Sequence, residues 1–190
     1  MAIMETAFTR MLGLSCPIVQ APIGGHTNPE LAVAVSGAGA LGMLALSWTG
    51  IADARAQVAA CRERLGGRTF GVNLVLVWDQ HAQLDALLEA GAPVVSFFWG
   101  DPEPYLDRVR QAGARSMLTV GTPDQARRAI DLGIDVLVAQ GIEAGGHVLG
   151  EMGLMALLPQ VVDIAGETPV LAAGGIADGR GLAAALALGA

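Results

Sequence analysis

Short apolar runs alternate along this chain with longer stretches whose apolar positions recur every three or four residues. The runs are 18–23, 41–46, 70–76, 94–99, 116–120, 136–139 and 170–173. Each is too short for a helix and too uniformly apolar for a strand with one wet face. Each therefore predicts a strand of a parallel sheet, covered on both sides. The intervening stretches 52–65, 82–90, 105–112, 123–132 and 154–165 predict helices, with Val58, Cys61 and Leu65 on one buried face of the first. A recurrent mark closes these stretches: SGAGA at 36–40, EAGA at 89–92, QAGA at 111–114, DLGI at 131–134 and ALGA at 187–190. Glycine suits the position just past a last helical turn, which is often left-handed. Thr122, Pro123 and Asp124 form the opposite signal, a helix start with cap, fixed φ and favourable charge.

Strand and helix alternating at one β-α unit per 20–30 residues predict an α/β fold with a parallel sheet. Seven such units predict a (β/α)8 TIM barrel truncated after the seventh unit, because the chain stops at Ala190 where an eighth strand is expected. Residues 1–190 read as a single domain with no linker. An open doubly wound sheet is the competing fold. Its GxGxxG signature after the first strand is missing, and that position reads APIGGHTN.

Composition narrows the chemistry. Of 190 residues 53% are hydrophobic and only 4% aromatic, enough for one sizeable core built from Ala, Val and Leu. A net charge of −7 argues against a nucleic-acid partner. All the positive charge is arginine; without lysine, Schiff-base chemistry and a Walker lysine are excluded. Cys16 and Cys61 lie far apart, which fits a reducing cytoplasm better than a disulfide framework. The first fourteen residues lack the apolar core of a secretory signal. Residues 31–52 are uncharged and long enough to span a bilayer, but Ser36, Gly37, Gly39 and Gly42 interrupt them. A helix over 31–35 and a buried strand over 41–46 explain them without a membrane.

The candidate chemistry lies in two loops after strands. QGIEAGGH, residues 140–147, places an acid, two glycines and a histidine just past the strand at 136–139. In parallel barrels catalytic groups sit at that end of the strands. His147 is the candidate general base, since imidazole titrates in the useful range; Glu143 reads better as an orienting group. GGIADGRG, residues 174–181, reads as a phosphate cradle: Gly174 and Gly175 let backbone approach an anion, and Asp178 caps the helix that follows. A plain connecting turn is the simpler alternative. Asn73 and Gln140 are polar amides at apolar strands, serving either a ligand edge or neighbouring backbone. His26 is a weaker candidate in the first loop, and His81 reads as a solvated helix residue beside Gln80 and Gln83. Trp48, Trp78 and Trp99 fall near strand ends, where they either wall a pocket or merely cover loops. There is no HExxH or Cys/His set for a metal and no GxSxG elbow.

Taken together, APIGGHTNPELAVAVSGAGALG, GVNLVL, VAQGIEAGGH and PVLAAGGIADGRGLAAALALGA resemble the nitronate monooxygenase family, formerly 2-nitropropane dioxygenase, over about residues 17–190. The resemblance implies an FMN-dependent barrel enzyme, an oxidoreductase that converts alkyl nitronates or nitroalkanes and O2 to a carbonyl compound and nitrite. It implies flavin contacts at Ala21, Pro22, Ile23, Asn73, Gln140, Gly145 and Gly146, phosphate contacts at Ala173, Gly174 and Gly175, and a catalytic role for His147. No metal, nucleic acid or membrane is implied; small-molecule substrate and O2 are the partners, with a homo-oligomer compatible. Two features depart from the family pattern: MLTVGT at 117–122 offers only Thr119 and Thr122 where a basic or polar residue is usual, and no GTRF-type loop follows ALGA. The missing strand predicts weak FMN affinity unless a partner chain closes the sheet. The flavin-dependent enoyl-acyl carrier protein reductases share EAGGH and GGIADG and are the alternative; FFWGDPEPYL at 97–106 favours the oxygenase branch. A non-catalytic truncated barrel is the reading from outside the enzymes.

Overall fold

A computed structural model describes residues 4–190, so the first three residues of the N-terminal stretch lie outside it. The chain divides into two compact units, Met1–Ser116 and Met117–Ala190.

In the first unit, α1 (Ala7–Leu12) and α2 (Pro29–Gly37) precede β1 (Met43–Ala45), α3 (Ile51–Leu65), β2 (Gly71–Val75), α4 (His81–Glu89), β3 (Val94–Phe98) and α5 (Glu103–Gln111). The strands are parallel, with β2 between β1 and β3; Met43 is in register with Gly71 and Asn73 with Ser96. Every residue of β2 and β3 is buried, which is why both read as unbroken apolar runs. Helices α2, α3, α4 and α5 pack in sequence against one another. The helix boundaries follow local chemistry. Asn28 caps α2 by accepting the Leu31 N–H at 2.9 Å, ahead of Pro29. Cys61 is wholly buried on α3, and that burial pushes its thiol up to about 11.

The boundary falls within β4 (Arg115–Val120), and the second unit repeats the pattern with the rest of that strand, α6 (Pro123–Asp131), β5 (Val136–Gln140), α7 (Leu154–Ala165), β6 (Val170–Ala173) and α8 (Gly179–Ala187). β5 lies between β4 and β6, all parallel, with Thr119 opposite Val138 and Gln140 opposite Ala173. Thr122 caps α6 by accepting the Gln125 N–H at 3.2 Å, as the Thr-Pro-Asp start predicts. At the glycine marks, Gly91 and Gly133 turn the chain at φ 89° and 72°, a conformation that costs a residue with Cβ about 1–2 kcal/mol.

Within each unit the strands follow sequence order, the winding of a barrel; a doubly wound sheet reverses its order part-way. The expected first strand is the main departure. Residues 18–23 contribute only an isolated parallel bridge, Val19 to Leu41. Gln20 explains part of this: its N–H reaches the Leu41 carbonyl at 3.0 Å, but its side-chain oxygen takes the Met43 N–H at 3.1 Å, so side chain replaces main chain in the ladder. The uncharged stretch 31–52 is α2 followed by β1, and among the described residues no helix is long and apolar enough to cross a membrane.

Candidate active site loops

In the second unit, the loop after β5 and the turn after β6 are brought together. The Gly141 N–H donates to the Ala173 carbonyl at 2.9 Å, continuing the β5–β6 ladder one residue past the strands. A Cβ added to Gly174, which sits at φ 121°, would come within 3.0 Å of the Ala144 nitrogen, so a glycine is required where the two loops meet. The EAGGH and GGIADG motifs, about thirty residues apart in sequence, are thus neighbours.

The loop over 141–153 is held at three places. Its stem closes through Ile142 N–H to the Met152 carbonyl, 2.9 Å. The Glu143 carboxylate accepts the Leu154 N–H with its two oxygens at 3.1 and 2.9 Å, capping α7 where Gly153 has no side chain to do so. The Gln140 amide donates to the His147 carbonyl at 3.0 Å and accepts the Leu149 N–H at 2.9 Å, bracketing Val148. His147 is exposed on this clamped segment. Gly145 and Gly146 are also exposed, with open space where a Cβ would stand.

The turn after β6 presents bare backbone. Gly175, Ile176 and Ala177 are exposed. Asp178 caps α8 as expected, accepting the N–H groups of Arg180 at 2.9 Å and Gly181 at 3.4 Å. Hydrogen bonds from the Arg180 side chain and backbone hold the Asp178 carboxyl below its usual range. An anion here would therefore meet the main chain of residues 174–177 more readily than the first turn of α8, part of which Asp178 already occupies. The Cβ directions of Gly174 and Gly175 are filled by Ala144 and Glu143, whereas Gly145 and Gly146 face open space; the exposed main chain of residues 175–177 and these two glycines are the surface a phosphate-bearing cofactor such as FMN would need.

The first unit carries the other expected residues. Ala21, Pro22 and Ile23 follow the Val19 bridge, and the Ile23 carbonyl accepts the N–H groups of His26 and Thr27 at 3.1 and 2.9 Å. His26 turns back on its own loop, Nδ1 3.2 Å from the Gly24 carbonyl. Asn73 is buried on β2 and donates to the Ser96 carbonyl of β3 at 3.2 Å, which serves the neighbouring strand. Trp48 and Trp78 meet edge to face at 5.8 Å, whereas Trp99 lies against Phe98 at 4.8 Å with a positive φ of 55°. A tryptophan in that conformation is strained backbone at a strand end.

Two polar residues were missed in the sequence. Gln80 and Gln83 are buried, and Gln83 donates to the Leu46 and Thr49 carbonyls at 2.8 and 3.1 Å. His81 lies at the surface as expected, its side chain 39% exposed, where it pairs with Asp79 at 2.6 Å and stacks on Tyr105 at 4.3 Å. One signal was present, since Gln80 and Gln83 share the helical spacing of Leu84 and Leu87.

Comparison with known proteins gives the family of the chain. The family model for nitronate monooxygenase matches residues 5–86 and 77–190. The chain is 35% identical to the nitronate monooxygenase of Pseudomonas aeruginosa, covering 98% of this chain and 66% of that protein. It is 34% identical to the (3aS,4S,5R,7aS)-5-hydroxy-7a-methyl-1-oxo-octahydro-1H-indene-4-carboxyl-CoA dehydrogenase of Rhodococcus jostii, over 100% of this chain and 53% of the relative. The solved structure of FabK from Thermotoga maritima matches with a TM-score of 0.93 at 36% identity, covering 98% of this chain and 60% of that one. The chain thus spans about half to two thirds of the length of these relatives. Its fold class is the α/β barrel of (β/α)8 type, present in part. On the strength of a family match along nearly its whole length, the chain belongs to the nitronate monooxygenase family.

Proposed function

We propose that the protein is an FMN-dependent oxidoreductase that oxidises alkyl nitronates or nitroalkanes with O2 to a carbonyl compound and nitrite. The observation that carries this reading is the clamped loop after β5, which carries exposed His147 and whose Glu143 and Ala144 lie against the glycine turn after β6. FMN, when bound, supplies the two-electron acceptor and the route to O2. Ala173, Gly174 and Gly175 would hold its phosphate through backbone N–H groups of the turn after β6. Gly145 and Gly146 give the ring an approach free of Cβ atoms. Gln140 retains one amide hydrogen beyond its bond to the His147 carbonyl, which would serve a polar ring atom. The family resemblance assigns further flavin contacts to Ala21, Pro22, Ile23 and Asn73 in the first unit.

His147 removes the α-proton of a neutral nitroalkane. Gln140 keeps the histidine backbone in place during that transfer, and Glu143 anchors the loop to α7. A nitronate arrives already deprotonated, so His147 contributes less to its turnover. His147→Ala is expected to keep bound FMN, to lower nitroalkane turnover by about 100- to 10,000-fold and to spare nitronate turnover. Flavin absorbance of the purified protein and nitrite release from each substrate test this; equal turnover of nitroalkane by the variant removes His147 from the proton transfer.

An acyl-thioester substrate is the second reading, favoured by the relative whose name is a carboxyl-CoA dehydrogenase. NADH oxidation that depends on a crotonyl thioester, without nitrite release from nitronates, would select it.

A further inference from the structure

Trp48 and Trp78 are exposed over 56% and 55% of their surface, although indole is among the costliest groups to leave in water. They follow β1 and β2 by three residues each, at the carboxyl ends of parallel strands. Their rings meet at 5.8 Å and 73°. Trp48 also lies over the segment that follows Ile23: a Cβ on Gly24 would stand 3.5 Å from its Cζ3.

What lies behind these rings is unusual in the opposite sense. Gln83, buried on α4, donates to the carbonyls of Leu46 and Thr49, the residues bracketing Ser47 and Trp48. Ser47 Oγ accepts the Val75 N–H at 2.8 Å, tying the first tryptophan loop to β2. Gln80, at the end of the second tryptophan loop, donates its side-chain amide to the Val75 carbonyl at 3.3 Å, and its N–H donates to the Tyr105 hydroxyl at 3.2 Å. These hydrogen bonds compensate the burial of both amides, whereas two indoles left half in water depart unfavourably from ordinary burial. The bonded amides fix the backbone of both tryptophan loops at the carboxyl ends of β1 and β2.

We propose that Trp48 and Trp78 form the wall that recognises the apolar chain of the small-molecule substrate, and that Gln83 is the positioning residue that keeps Trp48 in that wall. The proposal rests on the reading that this protein processes a small organic substrate, and it adds which residues select its chain. A protein partner is a poorer occupant. Two half-exposed indoles offer about 200–250 Å², far below the roughly 800 Å² per side of a stable protein interface. An alkyl chain of several carbons matches the area of two rings.

The test uses an unreactive probe, 1-hexanol, against ethanol, titrated by calorimetry into the intact protein. The wild type is expected to bind 1-hexanol at least about tenfold more tightly than ethanol, a fraction of the full burial of four methylenes. Trp48→Ala and Trp78→Ala are expected to lose that preference. Gln83→Leu retains both indoles, yet is expected to lose the preference and, in circular dichroism, the far-ultraviolet couplet of two adjacent indoles. If Gln83→Leu does not fold, the two surface variants decide the matter. An unchanged preference in Trp48→Ala, or none in the wild type, overturns the wall. A Gln83→Leu protein with intact couplet and preference overturns the positioning role. A chain-length preference in a protein that releases no nitrite from any nitronate leaves the wall standing and sinks the proposed reaction instead.

Discussion

Glu143 and Leu154 are joined across eleven residues: the carboxylate of one receives the backbone N–H of the other at 2.9 Å. A residue in the middle of the most distinctive motif of the chain is therefore the cap of the following helix. The same bond ties the loop that carries His147 to α7, which packs on β5 and β6. Glu143→Ala is expected to destabilise the protein by about 1 kcal/mol, the usual effect of losing a helix cap. Glu143→Gln keeps an acceptor and is expected to lose less. A lower urea midpoint at unchanged slope is the readout; a midpoint equal to wild type for Glu143→Ala would show that the cap contributes nothing.

Gly141 is fixed by the same contact. A Cβ there would stand 2.6 Å from the Leu154 nitrogen and 2.4 Å from a Glu143 carboxylate oxygen. Gly141→Ala must push α7 or the loop aside, at a cost of about 1–3 kcal/mol. Gly145→Ala meets open space and is expected to change stability by no more than about 0.5 kcal/mol. Thermal unfolding of the pair separates the two cases, and equal melting temperatures would contradict the steric argument.

Gln140 is the next lever. Gln140→Met keeps roughly the same length and removes both hydrogen bonds to the loop, leaving the Leu149 N–H and the His147 carbonyl without that partner. Losing such a pair costs about 1–3 kcal/mol. Faster amide exchange at Leu149, with helices intact, is the expected signature. Exchange as slow as in wild type would mean that something else holds the loop.

The pH response of α8 follows from Asp178. Its carboxyl is held below 3.8 in the folded protein, first by the Arg180 side chain and then by backbone N–H groups. A depressed carboxyl stabilises the fold fully above its unfolded value, and that contribution is lost as pH falls through the folded value. The Arg180 and Gly181 amides should therefore stay protected at pH 5 and lose protection only below 3.8. Asp178→Asn, still able to cap but uncharged, should lose this acid transition. A transition that persists in the variant would assign it to another group.

Much of the scaffold was legible because it is written locally. The stretch 154–165 reads as a helix and is one, residue for residue, since its apolar positions repeat at the helical period and Gly153 and Gly166 bound it. The Thr122 start and the glycine ends behave likewise, because a cap and a left-handed turn depend on residues within four positions. The meeting of EAGGH and GGIADG was also legible, as loops on neighbouring parallel strands must leave the sheet at the same end. Residues 18–23 failed this test: their apolar run says strand, but Gln20 spends its side chain where ladder bonds would form.

Apart from residues 18–23, the strands and helices follow from period, capping and turn chemistry, which act over a few residues and are visible in the chain itself. What the polar side chains do depends on packing. Gln83 reaches backbone 34 and 37 residues away, and Gln140, Glu143 and Asn73 each bond to main chain on another loop, helix or strand. An amide or carboxylate carries no local sign of its partner. The partner is set by which backbone groups the packed strands leave unbonded, and that is fixed only when the chain has folded.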